Sequence, residues 1–205
     1  MGIKAWQLGA PNTLVYRFYD RLRERLNRKL VKFLLGKGVK GDDCRILEAG
    51  SGPAFASSIF NTEDRVCLSI AVDIDLEALL EARHRDSGLS LVVADVQHLP
   101  FRNGSIDLCW NSSTIEHLET PEQALNEMKL VTKSSGMVFI GVPNSCGPLG
   151  FQRLISDTPV GIWIGRTFNR KQLTKMLSDT GLMPVHHIFY FFRFFVGVLA
   201  KKAPQ

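Results

Sequence analysis

The stretch "RILEAGSGPAFA", Arg45–Ala56, decides how this chain is read. An apolar run carrying a single acid, Glu48, ends at two glycines, Gly50 and Gly52, and passes into a helix-like segment. Glycine lacks a Cβ, so it takes up a positive φ and lets a ligand lie against the main chain. A strand, a glycine turn and a helix mouth in that order open an α/β sheet. Ligands of such sheets collect at the carboxyl ends of the strands.

Further along the chain, short apolar runs predict strands at Cys44–Ala49, Val66–Val72, Leu89–Ala94, Ile106–Asn111 and Met137–Val142. Helical patterns lie between several of them, at Pro53–Phe60, Leu76–Arg85 and Glu122–Thr132. Pro53 suits a first helical turn, where no amide hydrogen is missed, and Thr120-Pro121-Glu122 is a good helix opening. Only the loop LPFRNGS separates the third and fourth strands. This alternation predicts a parallel sheet covered by helices on both faces, with right-handed crossovers. Pro143–Phe168, rich in Gly and Pro, reads as a long surface excursion of the kind that serves as a lid. A helix at Asn169–Thr180, stopped by Gly181, precedes two terminal strands near Leu182–Phe189 and Phe194–Lys201. Their short separation predicts an antiparallel hairpin at the sheet edge.

Ahead of the first strand, apolar residues from Val15 to Leu35 recur at spacings of three and four, the stripe of an amphipathic helix. Gly36, Gly38 and Gly41 are expected to end it. The chain's net charge of +5 is concentrated here: residues 1–40 carry ten Lys and Arg against Asp20 and Glu24. The expected organisation is a basic helical extension and linker over 1–41, then a ligand-binding domain over 42–205 with a lid at about 144–168. The opening MGIKAWQLGAPNT lacks the apolar core of a secretory signal, and Trp6 breaks the myristoylation pattern. The longest apolar stretch, Ile188–Ala200, is interrupted by Arg193 and falls short of the roughly 20 residues of a membrane span. These features predict a soluble, cytoplasmic protein. Cys44, Cys67, Cys109 and Cys146 form no C-x-x-C pair, so neither a metal site nor a disulfide framework is expected.

The ligand is narrowed by the ends of the other strands. A dinucleotide fingerprint needs Gly or Ala at the sixth position of its glycine turn, and here that position is Phe55. Asp73 closes the second strand in "AVDID", where a carboxylate can accept both hydrogen bonds of a ribose diol. Asp95 closes the third in "VVADV", placed to accept from an exocyclic amine, with the Val96 amide beside it for a ring nitrogen. The fourth, "IDLCWNS", brings Asn111 beside the glycine turn. An adenine, a ribose and a short polar tail would be held in turn, which describes one adenosyl ligand without a pyrophosphate.

At these residues the chain resembles the class I S-adenosylmethionine-dependent methyltransferases, in the small-molecule subgroup. "ILEAGSGPA" resembles the first motif and "AVDIDLEALLEAR" the second, and "ADVQHLPFRNGSIDLCWNSSTIEHL" resembles the run through strands three and four. "ALNEMKLVTKSSGMVFIGVPN", "RTFNRKQLTKMLSDTGL" and "FFVGVLAKK" resemble the later elements, so the likeness covers about residues 42–202. It implies a Rossmann-like, doubly wound, mostly parallel seven-stranded sheet with an antiparallel last strand, preceded by the N-terminal amphipathic helix. It further implies S-adenosyl-L-methionine as cofactor and no metal. Glu48, Gly50 and Gly52 would hold its methionyl end, Asp73 with Ile74 the ribose side, Asp95 and Val96 the adenine, and Asn111 the region of the transferring methyl. Glu116 and His117 are the candidate catalytic pair, and Tyr16, Tyr19 and Asn144 the candidate acceptor contacts. The third glycine of the family's turn is Ala54 here, a residue accommodated at negative φ.

The implied reaction is methyl transfer to a small, apolar or amphipathic acceptor. Two other classes stay open: a methyltransferase-like scaffold without activity, supported by Ala54, and a nicotinamide-dependent oxidoreductase, disfavoured by Phe55 and Asp95. The basic helix would pack on the sheet, act as a lid, or rest on an anionic membrane. Nucleic-acid binding is not favoured by its composition. The aromatic run Phe189–Phe195 exceeds what one strand face can bury, which suits either an exposed patch or a homodimer contact.

Overall fold

The computed structural model describes residues 14–154 and 156–203. Side chains of 14–23, and of 152, 153, 159, 160 and 163 in the lid, lie outside that description. The candidate acceptor contacts Tyr16 and Tyr19 fall among them.

Seven strands form one sheet: β1 (Cys44–Ala49), β2 (Val66–Asp73), β3 (Ser90–Val93), β4 (Ile106–Ser112), β5 (Thr132–Pro143), β6 (Leu182–Tyr190) and β7 (Phe195–Lys202). Their order is β3-β2-β1-β4-β5-β7-β6, and only β7 runs against its neighbours. The order reverses between β1 and β4, so the chain leaves the sheet at adjacent carboxyl ends and opens a crevice there. This is the expected fold class, with β7 inserted between β5 and the edge strand β6.

The helices are α1 (Leu14–Gly38), α2 (Phe55–Phe60), α3 (Leu76–Arg85), α4 (Pro121–Val131), α5 (Pro159–Ile164) and α6 (Arg170–Asp179). Strand alternation explains the layers. Ile46, Leu108, Trp110, Phe139 and Leu199 point to one face, where they meet Leu30, Val31, Leu34 and Leu35 of α1 and Ile59 and Phe60 of α2. Leu47, Cys109, Val138, Ile140 and Val198 point to the other, against Leu125 and Met128 of α4 and Leu173 and Leu177 of α6. The second half of α1 is therefore a layer of the domain. No helix among the described residues is long and apolar enough to cross a membrane.

Several boundaries differ from the sequence expectation, each for a local reason. α1 continues through Gly36 and Gly38, and Gly38 sits where an added Cβ would come within 3.3 Å of Leu108 and 3.4 Å of Leu199. α2 starts at Phe55 and not at Pro53, because Ala54 turns left-handed just before it, at φ 52°. β5 begins directly after α4. Ile106 pairs with Thr132 and Leu108 with Met137, so the residues between bulge outward. Gly136 is required in that bulge, since a Cβ would lie 2.7 Å from the Asp107 carbonyl oxygen. The long excursion holds a 3-10 turn at Gly150–Leu154 and the short helix α5. Of the four cysteines, Cys44 and Cys109 are buried, and Cys67 and Cys146 are exposed.

Candidate active site

The glycine turn is held from below and from both sides. Gly50 N–H and Ser51 N–H both donate to the Val72 carbonyl, at 2.8 and 2.9 Å. Gly52 N–H donates to Asp73 Oδ2 at 2.6 Å. Thr114 Oγ1 donates to the Gly50 carbonyl at 2.9 Å. Gly50 adopts φ 77° and Gly52 φ 50°, conformations that favour glycine. A Cβ on Gly50 would strike the Thr114 side chain at 2.4 Å, whereas one on Gly52 would meet nothing within 4 Å. Gly52 thus presents bare main chain to open space, a cradle that a side chain would fill.

Ala54 also has positive φ, not the negative φ at which alanine is readily accommodated. Its methyl group is buried with Ala71, Leu79, Ala82 and Leu89, on the α3 side of β2. The methyl therefore packs in a core cluster and does not tighten the cradle. Phe55 is half-buried with the Arg85 guanidinium 3.6 Å over its ring, so its bulk is accommodated outside the glycine turn.

Glu48 is buried beneath this turn. Its Oε2 accepts from the Ser57 hydroxyl at 2.5 Å and from the Ser57 N–H at 3.2 Å. Burial pushes its carboxyl up to about 8, against those hydrogen bonds, with the Asp73 charge adding to the rise. Through Ser57 this carboxyl anchors α2.

The two aspartates stand at the ends of adjacent strands. Asp73 Oδ1 accepts from Asp75 N–H at 2.9 Å, and Oδ2 holds Gly52 as above. Each oxygen retains a lone pair, which suits a ribose diol. Asp95 Oδ1 accepts from Gln97 N–H at 2.9 Å, while Oδ2 has His98 Nδ1 at 3.8 Å and stays open to an amine donor. Val96 is buried beside it. Ile74 is 72% exposed directly after Asp73, an apolar surface for a flat ring. Asn111 is 1% exposed: its Nδ2 donates to the Ala49 carbonyl, and its Oδ1 has no partner among the described residues. A buried acceptor left open at the end of β4 fits a ligand's ammonium group. The strand ends thus offer a carboxylate for a ribose diol, a second for an amine, and an open amide oxygen for an ammonium group.

Glu116 and His117 follow β4 in a 3-10 turn, Ile115–His117. Glu116 is 2% exposed, and its Oε1 accepts from Ser113 Oγ at 2.7 Å. Burial raises its carboxyl to about 8, opposed by main-chain and Ser113 hydrogen bonds and by Arg166. The His117 ring lies against Gly165, and burial followed by the Arg166 charge lowers its pKa. Asn144 departs from its expected role as an acceptor contact. It is fully buried, donates from Nδ2 to the Arg193 carbonyl at 3.0 Å and accepts from Cys146 N–H at 3.1 Å, so it ties the β6–β7 turn to the lid base.

Four residues with a part here were not expected from the sequence. Thr114 locks Gly50, Ser113 orients Glu116, and Thr167 comes back from the lid with a buried Oγ1 that has no partner among the described residues. Tyr190 belongs to the aromatic run already noted. It is buried, bonded through its hydroxyl to Ser112 Oγ at 2.7 Å and stacked on Phe195. Its signal lay in Gly141, where a Cβ would overlap the Tyr190 hydroxyl at 1.9 Å.

Comparison with known proteins agrees with this geometry. The methyltransferase domain family matches residues 47–140. A protein named as a probable S-adenosylmethionine-dependent methyltransferase of Mycobacterium tuberculosis is 30% identical over 140 residues, covering 68% of this chain and 49% of the relative. A malonyl-[acyl-carrier protein] O-methyltransferase of Erwinia pyrifoliae is 29% identical over 123 residues, covering 60% and 46%. The chain thus spans about half the length of the curated relatives it matches. Among solved structures, a SAM-dependent methyltransferase from Thermotoga maritima has the same fold, with TM-score 0.71 and 21% identity over 92% of this chain and 96% of that one. The chain belongs to the class I S-adenosylmethionine-dependent methyltransferases. S-adenosylmethionine is the cofactor of that family.

Proposed function

We propose that this chain is an enzyme that methylates a small, apolar or amphipathic acceptor. The observation that carries the reading is the coupling of the glycine cradle to Asp73 through the Gly52–Asp73 bond, beside the open Asn111 Oδ1. The cofactor, when bound, supplies a methyl group on a positively charged sulfur. The protein's part is to align the acceptor with that methyl and to exclude water. Asp73, Asp95 and Asn111 would fix the cofactor, and the lid would cover the acceptor. The exposed side chains of the lid, Phe151, Leu154 and Ile162, support an acceptor with apolar surface.

Partners beyond the acceptor follow from charge. Arg25, Arg28, Lys29, Lys32, Lys37 and Lys40 are exposed along α1 and its exit, and only the Glu24–Arg28 pair at 2.8 Å offsets this ridge among the described residues. Such a ridge supports peripheral contact with an anionic membrane.

Calorimetric titration with S-adenosylmethionine, with NAD as control, tests the reading. One site per chain for S-adenosylmethionine, lost in Asp73→Ala, is expected. Binding of NAD in its place, or of neither ligand by folded protein, would overturn it.

A further inference from the structure

Near the turn that follows β4, buried polar side-chain atoms stand without partners among the described residues. Among the described residues four buried side-chain atoms lack hydrogen-bond partners: Trp110 Nε1, Asn111 Oδ1, Glu116 Oε2 and Thr167 Oγ1. Native interiors leave few such atoms, and each needs an explanation. Asn111 Oδ1 is accounted for by the cofactor's amino group. Glu116 and Thr167 are not, and they come from segments that meet. The Arg166 N–H donates to the Glu116 carbonyl at 3.3 Å, and Gly165 lies so close that a Cβ there would be 2.9 Å from Glu116 Cγ.

The surroundings show construction. Ser113, in a left-handed conformation at φ 67°, aims its hydroxyl at Glu116 Oε1 and leaves Oε2 free. Glu116, His117, Gly161, Ile162, Gly165 and Arg166 line an open cleft of about 490 Å³ under α5. Glu116 lines this cleft and Thr167 follows Arg166 of its lining; each carries a buried oxygen with no partner among the described residues, which with the apolar lip matches an acceptor that is apolar in its body and protic at its head.

We propose that Glu116 and Thr167 receive the head of a hydroxyl or amine acceptor, and that Glu116 takes its proton during methyl transfer. This rests on the methyltransferase reading above. The acceptor's oxygen or nitrogen forms a bond to the methyl carbon as the carbon–sulfur bond breaks. That bond's electron pair stays on sulfur, and the acceptor's proton passes to Glu116 Oε2. Thr167 Oγ1 positions the same head group. Arg166, His117 and Glu119 line the cleft with Glu116, and the Tyr190 phenol feels the Glu116 charge. With its carboxyl held up at about 8 by burial, a growing share of Glu116 is the carboxylate base as pH rises through that value.

The test uses the full chain saturated with S-adenosylhomocysteine, titrated with two matched probe sets: decanol, decylamine, decanoate and decene, then phenol, benzylamine, benzoate and styrene. The same probes are next offered with S-adenosylmethionine tritiated in its methyl group. Binding and label transfer are expected for hydroxyl or amine heads, with kcat climbing through about pH 8. Glu116→Gln should still bind S-adenosylhomocysteine but lose roughly a hundredfold or more in kcat, and with it the pH limb. Thr167→Val should raise KM and probe Kd about fivefold to tenfold, with kcat little changed. Preference for carboxylate or alkene heads would overturn the proposal. So would an unimpaired Glu116→Gln, or a protein that binds S-adenosylhomocysteine and takes no probe. Failure to bind S-adenosylhomocysteine at all would instead overturn the parent reading, and this one with it.

Discussion

Two glycines two residues apart separate stability from binding. At Gly50 an alanine would meet both a positive φ and the Thr114 side chain at 2.4 Å, so Gly50→Ala should lower stability and cofactor affinity together. At Gly52 the φ is positive too, but a Cβ would enter open space. Gly52→Ala should therefore cost only about 1–2 kcal/mol of stability, the price of a left-handed alanine, while cofactor binding falls steeply. Thermal midpoints and calorimetry on both variants check this. An unchanged affinity in Gly52→Ala would show that the cradle is not where the ligand lies. Ala54 shows the limit of reading residues singly. The sequence pointed to a missing third glycine but not to the direction of its methyl, which depends on α3 packing against β2.

Among the elements, the β6–β7 turn stores the most backbone strain. Phe191, Phe192 and Arg193 have φ of 49°, 55° and 66°, three successive left-handed residues without a glycine. Asn144 holds the turn through the Arg193 carbonyl, and the Phe194 carbonyl accepts from Asn144 N–H at 2.7 Å. Phe192 is 68% exposed, so its side chain contributes little packing. Phe192→Asn should stabilise the protein by about 0.5–1 kcal/mol, since asparagine tolerates this conformation better. Asn144→Ala should destabilise it by about 1–3 kcal/mol through the unpaired Arg193 carbonyl. Denaturant midpoints of the two variants decide, and a loss of stability in Phe192→Asn would mean that Phe192 is covered in solution. Hairpin pairing was legible because it depends on nearby residues. The strain and the Asn144 tie were not, because they join segments 49 residues apart.

At the scale of the molecule, the sheet and its switch point followed from motif order, since each strand announces itself by a short apolar run. The strand-end carboxylates Asp73 and Asp95 were legible for the same reason. Harder to foresee was the second half of the site, where Ser113 meets Glu116 in the turn after β4, Arg166 of the lid bonds the Glu116 carbonyl and Tyr190 of the last hairpin bonds Ser112. No local spacing encodes that meeting. A polar residue at a strand end, such as Asn144, looks alike in sequence whether it faces a ligand or bonds a neighbouring turn. The two halves of the crevice make one claim: an adenosyl group lies across β1, β2 and β3, with its methyl-bearing end turned toward β4. A crystal structure with S-adenosylhomocysteine tests it most directly. The account predicts ribose hydroxyls on Asp73, the adenine amine on Asp95, the ammonium group on Asn111 Oδ1 and the sulfur facing the Glu116 side of the crevice. Ligand density elsewhere on the sheet, or the adenine turned toward Glu116, would contradict it.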